Sequence, residues 1–188
     1  TFPWRQPDFA KTMQLFAADH PASLAWTQER LRQHALSKPS NLTYVPVDLE
    51  ERRLGEQLIP WGFECEAASF CSVLGVTQYL NREAVDAFFG FAAMLPKGSE
   101  IVFSFAPPDD QLGTAGGNAF VAFGQRPADL GEPWKSRWSA TDLMAQLTDL
   151  GYSDIFHLTP ELARQRYFPD QQEIREPPCW DHLIAAII

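Results

Sequence analysis

Cysteine is scarce in this 188-residue chain. Cys65, Cys71 and Cys179 make an odd count with no CxxC spacing, so reduced thiols in a cytosolic protein are expected, not a disulfide framework or a zinc site. Histidine is as sparse. His20, His34, His157 and His182 are dispersed, with no HxxxH or HExxH spacing, and no metal is expected. Basic side chains are outnumbered, 15 against 24 acidic, for a net charge of −9. Binding to nucleic acid needs a cationic face that releases counterions, so that partner is not expected. Long apolar runs are missing too. The longest purely apolar stretch, Leu183 to Ile188, is far too short to cross a bilayer, and no membrane partner is expected. No basic segment followed by an apolar one opens the sequence, which fits a cytoplasmic location. Neither a GxSxG elbow nor a GxxxxGK[ST] phosphate loop occurs.

What remains is an alternation of short apolar runs and amphipathic stretches. Met13 to Ala17 reads as a strand, followed by a helix from Ala22 to His34 with Pro21 at its first turn. Leu42 to Val47 is the next strand, and Pro46 inside it predicts a sheet edge or an irregularity. Asp48 with Glu51 has capping-box spacing and predicts a helix over Leu49 to Ile59. Phe70 to Val76 and Ile101 to Phe105 are further strands, separated by a helix that Asn81 caps. Pro107 to Gly117 reads as a loop, and its glycines Gly113, Gly116 and Gly117 suit a mobile segment better than a phosphate cradle. Ser139 begins a helix that Gly151 ends. Ile155 to Leu158, a short helix from Thr159, and Leu183 to Ile188 complete the pattern. Strands separated by helices predict an α/β fold with a mostly parallel sheet, helices on both faces and one domain over residues 1–188.

In such sheets ligands bind beyond the carboxyl ends of the strands. Asp19, Asp48, the segment Leu74 to Tyr79 and the residues from Ala106 onward stand there. A carboxylate at the position of Asp19 accepts both hydroxyl hydrogens of a ribose; alternatively it caps the next helix. Asp48 either caps a helix with Glu51 or accepts from an exocyclic adenine amine while the N–H of Leu49 bonds a ring nitrogen. The aromatics Trp134, Trp138, Tyr167 and Phe168 read chiefly as core or pocket lining.

Several segments, in order, carry a family likeness: Phe2-Pro3-Trp4-Arg5-Gln6-Pro7-Asp8-Phe9-Ala10, Ala18-Asp19-His20-Pro21-Ala22, Tyr44-Val45-Pro46-Val47-Asp48-Leu49, and Leu74-Gly75-Val76-Thr77-Gln78-Tyr79-Leu80. Leu95 to Ser99, Gly131 to Trp134 and Arg166-Tyr167-Phe168 continue it. The chain thereby resembles the leucine carboxyl methyltransferase family, which includes S-adenosylmethionine-dependent O-methyltransferases of the polyketide-tailoring type. The resemblance implies a Rossmann-like class I methyltransferase sheet that lacks its first strand and N-terminal lid, with Thr1 standing as the threonine of the family's GxGxDT-type motif. It implies S-adenosylmethionine as cofactor, Asp19 as the ribose carboxylate and Asp48 with Leu49 as the adenine pair. Leu74 stands where many relatives carry a glutamate, so that glutamate's role does not transfer. Tyr79 and Arg166 are substrate-pocket candidates.

The expected activity is methyl transfer to a carboxyl or hydroxyl oxygen of a small molecule. A carboxylate acceptor needs no base, whereas a hydroxyl needs one within reach, and no clear base is visible in the sequence. Two other readings remain open. One is a degenerate methyltransferase-fold binding module, whose exposed sheet edges would favour a homo-oligomer. The other is a nicotinamide dehydrogenase, for which no catalytic residues can be named.

Overall fold

The computed structural model describes residues 2–51, 53–112, 133–169 and 181–188. Thr1, the glycines of 113–117, the Gly131-Glu132 pair and Cys179 lie outside the described residues. The chain divides into two compact units, Thr1–Glu64 and Cys65–Ile188.

The first unit opens with a short helix, α1 (Phe2–Arg5), and a 3₁₀ turn (Asp8–Thr12). Strand β1 (Leu15–Asp19), helix α2 (Pro21–Gln33) and strand β2 (Leu42–Pro46) then form a βαβ unit. β1 and β2 are parallel and in register from Leu15 opposite Leu42 to Asp19 opposite Pro46. Among the described residues β2 pairs with β1 alone, and Pro46, which lacks an N–H, is its exposed last residue. Burial of Ala10, Leu24, Leu42 and Val45 gives this unit its small core. Asn41 joins the turn to the sheet, its amide donating to the carbonyls of Ala10 (2.8 Å) and Met13 (2.9 Å).

One of the two readings of Asp19, and the helix expected from Leu49, fail here. The N-cap of α2 is not Asp19 but His20, whose Nδ1 accepts from Ala22 N–H at 3.3 Å. Nor does a helix begin at Leu49. The Asp48 carboxylate takes the N–H of Glu50 (2.9 Å) and closes a turn, so helix α3 is delayed to Leu54–Leu58, and a 3₁₀ turn (Ile59–Trp61) comes after it.

The second unit holds a four-stranded sheet. Its strands are β3 (Phe70–Val73), β4 (Glu100–Phe105), β5 (Ser153–Leu158) and β6 (His182–Ile187), in the spatial order β3-β4-β6-β5. β3 and β4 are parallel, whereas β6 runs against both β4 and β5. Three strands therefore share one direction, as expected, but β6 makes the sheet mixed. The reason is that Leu183, at the start of β6, lies opposite Leu158, the end of β5, so the chain re-enters the sheet at the end it left.

Among the described residues three helices accompany this sheet: α4 (Arg82–Ala92), α5 (Ala140–Asp149) and α6 (Pro160–Tyr167). Each has the cap its sequence announces. Asn81 accepts from Ala84 N–H, Ser139 from Asp142 N–H and Thr159 from Leu162 N–H. α4 buries Val85, Phe88, Phe89 and Ala92 at helical spacing, and α5 buries Leu143 and Leu147. Phe89, at 0% exposure, stands 4.8 Å from the equally buried Phe103, which in turn neighbours Phe105. Gly151, with φ +92°, ends α5 in a conformation that L residues rarely adopt.

Candidate functional site

In the first unit, the parallel register brings the carboxyl ends of β1 and β2 to the same side. Asp19 is the last residue of β1, and its carbonyl accepts from Val47 N–H at 2.9 Å, immediately before Asp48. The Asp19 side chain is exposed, and its hydrogen bond among the described residues is to His20 N–H (2.7 Å, Oδ1). A carboxylate offers about four lone-pair positions, so acceptor capacity remains for a diol.

Asp48 is held from an unexpected quarter. Gln57, in α3, clamps its main chain: Oε1 accepts from Asp48 N–H (2.9 Å) while Nε2 donates to the Asp48 carbonyl (3.0 Å). Neither hydrophobic pattern nor capping chemistry signals this contact, because the two residues meet only through the turn between them. Leu49 is half-buried in that turn, and its N–H has no acceptor among the described residues. The arrangement thus offers one carboxylate from Asp19 and an adjacent acceptor and donor from Asp48 and Leu49.

The second unit carries a cavity of about 320 Å³ at the carboxyl ends of β3 and β4. Leu74 and Tyr79 both line it, together with Phe105, Trp134 and Asp181. Hydrogen bonds hold the floor. Gly75 N–H donates to Ser104 Oγ (2.7 Å), and Thr77 Oγ1 donates to the Ser104 carbonyl (2.6 Å). Ser136 Oγ donates to the Thr77 carbonyl (2.9 Å) and accepts from Trp138 Nε1 (3.1 Å). The segment Leu74 to Tyr79 is therefore braced from β4 and from the chain ahead of α5. Tyr79 and Trp134 meet edge to face, with ring centroids 6.3 Å apart.

Asp181, one residue ahead of β6, lines the cavity without any signal in the sequence. Partial burial of its carboxyl raises its pKa above the ordinary aspartate value. Arg166 does not line the cavity. It is exposed on α6, with its guanidinium over the rings of Phe156 (5.9 Å) and Tyr167 (5.7 Å). Cys71 is no nucleophile at neutral pH, because burial pushes its thiol up to about 11. Among the described residues no cluster of three or more metal-ligating side chains exists. None of the described helices is long and apolar enough to cross a membrane.

YktD of Bacillus subtilis (strain 168), a protein assigned as an S-adenosyl-L-methionine-dependent methyltransferase, is 30% identical over 190 residues, which cover 100% of this chain. The chain spans 62% of that protein's length. A DUF574-family protein from Streptomyces avermitilis superposes with a TM-score of 0.62 at 14% identity, over 92% of this chain and 64% of its own. Human N-acetylserotonin methyltransferase, solved in complex with S-adenosylmethionine, gives a TM-score of 0.53 at 13% identity, over 96% of this chain and 42% of its own. At such identities these two structures establish the fold alone, that of the Rossmann-like methyltransferases. The family model described as leucine carboxyl methyltransferase matches residues 1–93. Through those residues the chain resembles the leucine carboxyl methyltransferase family.

Proposed function

We propose that the protein is an S-adenosyl-L-methionine-dependent O-methyltransferase that methylates a carboxyl or hydroxyl oxygen of a small molecule. One observation carries the reading: Asp19 and Asp48 stand at the same end of two parallel strands, with hydrogen-bonding capacity left over. Asp19 accepts from the two ribose hydroxyls, and the Asp48 carboxylate with the Leu49 N–H takes the adenine edge. Leu74, a further cofactor-binding candidate, and Tyr79, a candidate for contact with the methyl acceptor, both line the cavity of the second unit. The relative YktD supports the cofactor's identity.

When bound, the cofactor supplies a methyl group on a sulfonium, which leaves as a neutral thioether. The chain's own part is placement and exclusion of water. The aromatic walls of Tyr79, Trp134 and Phe105 keep the acceptor oxygen poorly hydrated, and the braced segment Leu74 to Tyr79 holds those walls still. Alignment of this kind contributes several kcal/mol to such a transfer.

Calorimetric titration with S-adenosylmethionine tests the proposal. Micromolar binding is expected, and Asp19→Ala should weaken it about 10- to 100-fold, the loss corresponding to charge-assisted hydrogen bonds worth roughly 1.5–3 kcal/mol. Because Asp19 is exposed, the variant should unfold at the same urea concentration as the parent. A folded protein that takes up no cofactor, or an Asp19→Ala variant that binds as the parent does, would refute the reading.

A further inference from the structure

The cavity of the second unit has a one-sided charge. Among the described residues that line it, Asp181 and Tyr79 are the ionisable ones, and none is Lys, Arg or His. The Gly75 N–H is already given to Ser104 Oγ, and the lining side chains Gln78 and Trp134 bring neutral N–H groups and no positive charge. A carboxylate entering a partly enclosed space must exchange its hydration for cations or N–H donors, and burying an unpaired charge is costly. Here it would meet a second carboxylate instead, and like charges at short range disfavour one another's ionised form. A hydroxyl has the opposite fit, for it brings a hydrogen that the Asp181 carboxylate accepts.

The cavity volume of about 320 Å³ lies at the small end for ligand sites, enough for one ring and its substituents. Its walls suit a flat ring, because Tyr79, Phe105 and Trp134 all contribute to them.

Resting on the methyltransferase reading above, we infer that the acceptor is an aromatic hydroxyl and not a carboxylate, and that Asp181 is the base which receives its proton. The acceptor's O–H bond breaks and its proton passes to an Asp181 oxygen; the freed electron pair forms the O–CH₃ bond; the methyl–sulfur bond of the sulfonium donor breaks and its pair stays on sulfur. Asp181 later releases the proton to solvent, to which the residue is exposed. The carboxyl's raised proton affinity agrees with the role, as a general base works best when its pKa approaches the working pH.

The test uses phenol and benzoate as matched probes, titrated into the protein at neutral pH without cofactor and followed by ligand-observed NMR. Phenol should bind at least about 10-fold more tightly than benzoate, a preference of about 1.4 kcal/mol. Asp181→Asn removes the repelling charge and should narrow that ratio to within about 3-fold, chiefly by improving benzoate binding. Leu74→Trp, which fills the mouth of the cavity, should abolish binding of both. With S-adenosylmethionine present, Asp181→Asn should lower kcat for phenolic acceptors by about 100-fold or more, with cofactor affinity unchanged. Equal or tighter binding of benzoate, no binding of either probe, or phenol methylation by Asp181→Asn at the parent rate would each overturn the inference. Failure of the methyltransferase reading shows separately, as absence of cofactor binding in the calorimetric titration.

Discussion

The two units present recognition chemistry in opposite ways. In the first, the candidate groups are Asp19 and Asp48, at strand ends and turns, where water competes for every lone pair. Its buried residues are few, and α2 buries only Leu24. In the second, the candidate groups surround a cavity whose lining residues Gly75 and Ser104 are tied by hydrogen bonds through Thr77 and Ser136 to Trp138. Its wall residue Phe105 packs against Phe103, which in turn packs against Phe89. Exposed carboxylates suit a ligand that brings many hydrogen-bond donors of its own. A partly enclosed aromatic cavity suits a ligand selected by shape and by the hydration it must give up on entry. Charge is also worth more in the second setting, where the medium screens less.

The largest effect that can sharpen this contrast is on stability. Phe89 is fully buried, touches Phe88 and Phe103, and its carbonyl accepts from the buried Tyr152 hydroxyl at 2.8 Å. Phe89→Ala should destabilise the second unit by about 3–5 kcal/mol, the range for truncating a phenylalanine in a packed core. Urea unfolding followed by circular dichroism reads this directly. A loss below about 1 kcal/mol would mean that the aromatic column is not the element holding the cavity.

A smaller effect probes the first unit. Gln57→Ala removes both hydrogen bonds that clamp the Asp48 main chain, and neutral bonds of this kind contribute roughly 0.5–1.5 kcal/mol each. The Asp48 amide should lose its protection from hydrogen exchange, and cofactor affinity should fall while Asp19 is untouched. If the amide stays protected, the turn is held by Asp48 and Glu50 alone, and the first unit is more self-sufficient than its geometry implies.

How far each half can be read from sequence depends on the range of the forces that set it. Strand positions and the caps at Asn81, Ser139 and Thr159 are legible because they depend on period and on contacts within three residues. Leu74 and Tyr79, both in the segment beyond β3, do share one cavity. Asp19 and Asp48 stand at strand ends because strand ends are set by the alternation of elements. The late start of α3 is not legible: an Asx turn and a capping box begin with the same aspartate, and the residues downstream of it decide between them. The reversed direction of β6 depends on where the chain re-enters the sheet, which no local pattern encodes. For the same reason Gln57 and Asp181 carry no signal, since each acquires its place only through tertiary pairing. Arg166 has a charge beside an aromatic pair, and the structure sets that charge over the rings of Phe156 and Tyr167 and not in the cavity.

The smallest effect expected is a pH dependence confined to the second unit. His157 Nε2 and His182 Nδ1 lie 2.9 Å apart, with their rings stacked and both packed near Phe105. One ring must lend a lone pair to the other's N–H, so the pair resists a second proton. Burial first, and the neighbouring His182 second, hold the His157 pKa below its ordinary value of 6.5. The folded protein therefore binds fewer protons at this site than the unfolded chain does over the interval between the two pKa values. Stability from this source is fully present above about pH 6.5 and is lost as the pH falls through that value toward the folded-state pKa. The urea midpoint should decline on going from about pH 7 to about pH 5.5, and His157→Phe, which keeps an aromatic ring beside Phe105, should flatten that decline. The variant's own stability at pH 7 sets the baseline, so a lost hydrogen bond to His182 cannot imitate the result, which lies in the slope. An unchanged slope would assign the acid sensitivity to other groups and leave the histidine pair as packing alone.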